Sequence, residues 1–219
     1  MESDWAAEHL QTIRTLMERS AVYRRALAPI MIFNGALGIS GTVLSCISNI
    51  ESSRAFVLAW AVVAAVALTG SFLLVRRQAL KDSEPFWSPP TRRVAQAMVP
   101  ALTVGLFVGM LAILANGAGQ SGAGVISLIW CIAYGCALHA AGFFMPRGIR
   151  LLGWLFILAG MGSALALLLT TRDGIAGGQA SPLDPLFDGR GFFMGIMFGG
   201  LHLICGVYLY FTEKGKNAA

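Results

Sequence analysis

Six apolar runs, none interrupted by a charge, dominate this sequence and restrict its fold more than any other feature. They lie at roughly 26–49, 55–75, 94–117, 124–144, 151–170 and 193–211. Each is long enough to cross a hydrocarbon layer of about 30 Å as a helix. All 27 charged residues, 16 basic and 11 acidic, fall outside them. In lipid the backbone must satisfy its own hydrogen bonds within a segment, so runs of this length read as transmembrane helices. The expected fold is therefore all-α, a polytopic six-helix transmembrane bundle. A 1–25 arm precedes the 26–211 membrane domain, and a 212–219 tail follows it.

Composition agrees. The chain is 56% hydrophobic and 12% charged, against about a quarter charged in soluble domains. The surplus apolar surface must face a lipid bilayer. The net charge of +5 is a matter of membrane topology and implies no nucleic-acid partner. Thirteen of the 16 Lys and Arg side chains sit in the arm, the second and fourth connections and the tail; only Arg54, Arg172 and Arg190 lie on the other side. The positive-inside bias places both termini in the cytoplasm. The first 25 residues lack a basic leader followed by an apolar stretch, so no cleavable signal is expected and the first span serves as the insertion signal. Trp154, Tyr208 and Tyr210 fall near the cytoplasmic boundary, where amphipathic rings settle.

In the arm, Leu10, Ile13, Leu16, Met17 and Ala21 recur at helical spacing. They predict an amphipathic cytoplasmic helix, lying either on the membrane surface or under the bundle. The connection 171–192 is rich in Gly and Pro and reads as a loop. Small residues recur within the spans: Gly35, Gly38 and Gly41 in the first, Gly105 and Gly109 in the third, Gly195 and Gly199 in the sixth. Such faces let membrane helices approach closely. They read as internal packing faces, with a homo-oligomer or a protein partner as the other use.

Chemistry-bearing residues inside the spans are few. No Asp or Glu is present there, so an ion-coupled carboxylate relay is excluded. Pro29 and Pro100 lie near span ends rather than at broken-helix centres, which leaves transport of a small uncharged or apolar solute as an alternative. "CALH" and "HLIC" place Cys136 with His139 and His202 with Cys205, each pair three residues apart on one helix face. Facing one another they would form a Cys2His2 zinc site or a bis-imidazole haem site. Cysteine is equally a small hydrophobe in such helices, so no metal and no cofactor is expected. Four cysteines without a CxxC also argue against a disulfide framework. "GQSG" before the fourth span resembles the GxSG motif of rhomboid intramembrane proteases, with Ser121 as nucleophile and His202 as base. The sequence departs from that family after its histidine, in its second span and in its short first loop. HExxH and GxSxG are absent, and no catalytic residue is expected.

Three stretches, "TIRTLMERSAVYRRALAPIMIFNGALGISG", "YGCALHAAGFFMPRGIRLLGW" and "FGGLHLICGVYLYF", together resemble an uncharacterised family of six-span bacterial membrane proteins. Its members share an IRxLMERS-type arm and an FGxLHxxYG-like last span. The resemblance implies a six-span inner-membrane fold and at most a membrane stress or regulatory role. It carries His202 but neither His139 nor a GxSG serine.

His202 therefore reads as a structural group. Counted from the cytoplasmic ends of their spans, His202, Asn34, Thr103 and Tyr134 lie eight to ten residues deep, or about 12 to 15 Å. Four spans thus offer one polar group each at one level. An isolated imidazole in lipid is costly. The expectation is a neutral His202 facing the interior and bonded to Tyr134 or Asn34, within a non-enzymatic accessory or regulatory membrane protein.

Overall fold

The computed structural model describes residues 21–48, 50, 52–81, 83, 86–87, 89–114, 120–177 and 191–217. Helix accounts for nearly all of them, and no strand occurs among them. The helices are α1 (Ala21–Ile47), α2 (Ser53–Lys81), α3 (Pro89–Leu114), α4 (Gln120–Ala141), α5 (Arg147–Gly177) and a composite α6. The last runs through Phe192–Met194, a π-helical stretch Gly195–Leu201 and His202–Asn217. All six are long and apolar enough to span a membrane. The amphipathic arm lies outside the described residues, apart from 21–25, whose backbone already belongs to α1. Part of the predicted 171–192 loop is helical, because α5 continues to Gly177.

Local signals account for several boundaries. α2 starts at Ser53, ahead of the apolar run, because the Ser52 hydroxyl accepts from the Ala55 N–H at 3.1 Å, a side-chain cap for an otherwise orphan donor. Pro29 and Pro100 fall inside continuous helices rather than at their ends. α1 and α3 begin several residues before their apolar runs, so prolines near a span end become interior to the helix. Both face outward, where the missing N–H is the least crowded.

The helices form two triplets. α1 packs on α2 and α6; α4 packs on α3 and α5. Within each triplet the closest pair is glycine-tight. A Cβ on Gly38 would come within 2.6 Å of the Gly199 backbone N, and one on Gly206 within 2.8 Å of Ile32 N. These contacts bring α1 and α6 backbone to backbone. Gly135 and Gly153 do the same for α4 and α5, where an added Cβ would lie 2.8 Å or less from backbone atoms across the pair. Close approach is how membrane helices gain dispersion energy where no hydrophobic force drives them together. In α3, Gly105 and Gly109 make a floor for the Trp130 indole, whose Nε1 donates to the Gly105 carbonyl at 2.8 Å. All the glycine faces read from the sequence are thus occupied inside the chain.

Larger side chains close the seam between the triplets. One cluster joins Phe56, Val57 and Trp60 of α2 to Ala123, Ile126 and Trp130 of α4 and Met194 of α6. Gly191, at φ 77°, turns the chain into α6 beside it, and its carbonyl accepts from the Thr42 hydroxyl at 3.3 Å. A Cβ there would be strained and would press on Trp60. Elsewhere the outer faces carry exposed aliphatic and aromatic side chains, such as Leu106, Leu114 and Leu158, a surface suited to lipid rather than water.

Glycine-tight pairing makes a direct prediction. Gly38→Ala places a methyl group against backbone that cannot swing away and should lower stability by about 1 to 3 kcal/mol. Gly162→Ala, with open space around it inside a helix, should leave stability unchanged or raise it by up to about 1 kcal/mol. Thermal unfolding in one detergent distinguishes the two.

Candidate functional site: a buried imidazole in a four-ring cluster

His202 lies ten residues from each end of the apolar span Phe192–Thr212, which puts it about 15 Å from either end. It is only 1% exposed. Its Nε2 is 2.8 Å from the Tyr134 hydroxyl of α4. With the hydroxyl donating, Nε2 accepts and the proton rests on Nδ1, which has no partner within hydrogen-bond geometry. The bond crosses from one triplet to the other.

Two phenyl rings, Phe156 and Phe198, enclose the pair. Tyr134 stands 5.1 Å from Phe156 and 5.0 Å from Phe198, centroid to centroid. Phe156 lies 5.1 Å from Phe198 and 5.5 Å from His202. His202 is 5.4 Å from Tyr134 and stacks on Phe198 at 6.2 Å. Every ring therefore touches the other three, mostly in tilted or edge-to-face arrangements that suit aromatic quadrupoles. Tyr134 comes from α4, Phe156 from α5, and Phe198 and His202 from α6. Phe156 is fully buried, and the adjacent Cys131 thiol donates to its carbonyl at 3.3 Å.

The π-helical stretch Gly195–Leu201 ends immediately before His202. Stretches of this kind concentrate at functional positions because they re-aim side chains. Here the stretch does so while Gly195 and Gly199 lie against Thr42 and Ile39 of α1. One face of α6 thus meets α1 closely, while Phe198 and His202 reach the other triplet.

The expected polar layer is partly assembled. His202 and Tyr134 meet. Asn34 does not join them: its Oδ1 accepts from the Ser71 hydroxyl of α2 at 3.3 Å. Thr103 is outside the layer altogether, exposed on α3 with its hydroxyl donating to Val99 O of its own helix at 2.8 Å. A threonine in a helix can satisfy itself this way and needs no partner across the bundle. Depth alone did not reveal which way it points. Nothing local marked Phe156 or Ser71 either. Phe198, four residues before His202, was legible as a neighbour on the same helix face.

The Cys2His2 arrangement is not formed. Cys136 follows Tyr134 by two residues, about 200° around α4, so it is exposed when Tyr134 faces inward. His139 lies against Trp154 and Phe143 at 5.2 and 5.4 Å, while His202 is engaged by Tyr134. Among the described residues no three His, Cys, Asp or Glu side chains gather as a metal would require. The Ser121–His202 dyad fails on distance. Ser121 is in the first turn of α4, thirteen residues from Tyr134, or about 20 Å along the axis. That gap exceeds the reach of the side chains.

No protein-family profile, curated protein or solved structure matches this chain.

A double-mutant cycle tests the central bond. Tyr134→Phe and His202→Leu should couple by about 0.6 to 1.7 kcal/mol, the range of interhelical hydrogen bonds in membranes. His202→Gln, which keeps a donor and an acceptor, should be milder than His202→Leu. Phe156→Ala should cost more than any of them, about 3 to 5 kcal/mol, because it empties the centre of the cluster. Denaturant titration in micelles reads all four.

Proposed function

We propose that this chain is a multi-pass protein of the bacterial inner membrane, with both termini in the cytoplasm, that serves as a non-enzymatic accessory or regulatory component. One observation carries the reading: the histidine at mid-depth is consumed by packing. Its Nε2 is held by Tyr134, its ring is walled by Phe156 and Phe198, and it is 1% exposed. A general base needs a proton to abstract within reach. A ligand needs company from other donors. The proton nearest Nε2 is the one Tyr134 donates to hold the ring, and among the described residues no set of metal donors gathers around it. The charge asymmetry, 13 of 16 basic residues at one end, supports the orientation. The resemblance to six-span bacterial proteins, which share His202 in their last span, supports the compartment and a stress-linked or regulatory role alongside a protein partner.

The same centre argues against a wet solute path at this level, since rings in mutual contact leave water no room. Phe198→Cys in a cysteine-free background tests this in native membranes. The new thiol should resist a water-soluble methanethiosulfonate reagent. Rapid labelling from either side would reveal an aqueous cavity and replace the accessory reading with that of a carrier for a small uncharged solute. For orientation, alkaline phosphatase fused after Lys216 should be inactive, whereas a fluorescent protein there should glow; the reverse pattern overturns cytoplasmic termini.

A further inference from the structure

In the connection between α2 and α3, Phe86 reaches back to the last turns of α2. α2 has 29 residues, about 43 Å, so it is longer than the hydrocarbon layer. Its apolar run ends at Val75, and Arg76 and Arg77 follow. Those two guanidinium groups mark the boundary between acyl chains and headgroups. Phe72 lies four residues, about 6 Å, to the apolar side of Arg76. Helical side chains lean toward the N-terminus, so the Phe72 ring leans deeper still.

Phe86 meets that ring edge-on, 4.8 Å from centroid to centroid. Phe86 follows the end of α2 by only five residues, so the chain must reverse at once. Ser83, in this interval, is at φ 53°, a left-handed conformation uncommon for a residue with a Cβ. Trp87 stacks beside Phe86 at 6.1 Å and is 60% exposed. The connection therefore carries two aromatic rings back to the level of the α2 boundary and presents the indole outward. Around them stand Arg76, Arg77, Lys81, Arg92 and Arg93, all exposed. Residues 76–93 hold five basic and two acidic side chains, 5 − 2 = +3; the acids, Asp82 and Glu84, lie outside the described residues.

We propose that this connection is a docking surface for anionic phospholipid headgroups. Phe86 and Trp87 are inserted at the acyl–headgroup boundary, and the surrounding guanidinium and ammonium groups hold lipid phosphates. An aromatic ring prefers that boundary, and juxtamembrane basic clusters attract anionic lipid. The α4–α5 turn, at the same end of the bundle, repeats the chemistry: Arg150 lies over the Phe143 ring at 5.4 Å, with Phe143 and Phe144 exposed. The inference rests on the membrane reading above. Carbonate extraction checks that reading separately, since an integral protein stays in the pellet whether or not it selects lipids.

The test uses the full chain in micelles with equal phosphatidylglycerol and phosphatidylcholine, read by native mass spectrometry. Wild type should retain phosphatidylglycerol preferentially, by roughly tenfold or more given about fivefold per engaged charge. Arg76→Gln, Arg77→Gln, Arg92→Gln and Arg93→Gln combined should abolish most of that preference without lowering the unfolding temperature in lipid-free detergent. Equal retention of both lipids by wild type, or an undiminished preference in the variant, overturns the proposal. So does displacement of the bound lipid by millimolar inorganic phosphate, which would assign the site to a soluble anion. A second measurement does not depend on the variant's folding. Brominated phosphatidylglycerol in bilayers should quench an indole component that disappears in Trp87→Phe. Quenching identical in the two proteins overturns the insertion of the connection.

Discussion

A polar ring at mid-bilayer has no solvent to fall back on, and its neighbours must supply everything that water would. The Tyr134–His202 bond does so at Nε2 and the phenyl walls pack the ring faces, while Nδ1 has no partner within hydrogen-bond geometry. Their demands reach outward through the bundle. To bring Tyr134, Phe156, Phe198 and His202 into one cluster, α4, α5 and α6 must present one face each to a common point. The π-helical turns before His202 reconcile that with the close contact between α6 and α1. Leaving Nε2 unpaired would cost the full desolvation of that atom, whereas the bond itself returns only a modest net gain. The interaction is thus better understood as fixing which faces meet than as the main source of stability.

Stability comes from two kinds of contact used in different places. Within each triplet, glycines remove the side chain and let backbones touch, as Gly38 does with Gly199 and Gly135 with Gly153. Between triplets, the backbones stay apart and large rings fill the gap, His202 with Phe156 in one layer and Phe56 with Trp130 in the other. The two modes call for opposite residue sizes. A substitution tolerated on the seam is therefore forbidden inside a triplet, and the reverse.

The fold class was legible because charge-free runs of about twenty residues admit few structures. The partner of His202 was legible only in part: depth along the helices offered Tyr134 and Asn34 alike, and the structure takes Tyr134. What depth lacks is azimuth. Asn34, Thr103, Tyr134 and His202 sit at similar levels, yet Asn34 turns to Ser71 and Thr103 turns outward to bond its own helix. Rotation of a membrane helix is set by packing against its neighbours, and that information is spread over residues distant in sequence. Nothing beside Phe156 announces that it would face His202, and Cys136 misses the interior only because Tyr134 claims it. The aromatic and basic residues of the α2–α3 connection stood in plain view in "RRQALKDSEPFWSPPTRR", but only the contact between Phe72 and Phe86 shows that the segment bends back.

Pairing the first helix with the last has a consequence for synthesis. The Gly35–Gly38 face of α1 is covered by Gly199 and Leu203 of α6, which emerge about 160 residues later. At translation rates of about 5 to 20 residues per second, that delay is roughly 10 to 30 s. During it, α1 is in the membrane with its narrowest face open to lipid, while α4 finds α5 almost at once. The α3–α4–α5 triplet can therefore assemble while the ribosome is still at work. The α1–α2–α6 triplet closes only once α6 has been made, and a chain truncated before α6 leaves α1 without its partner.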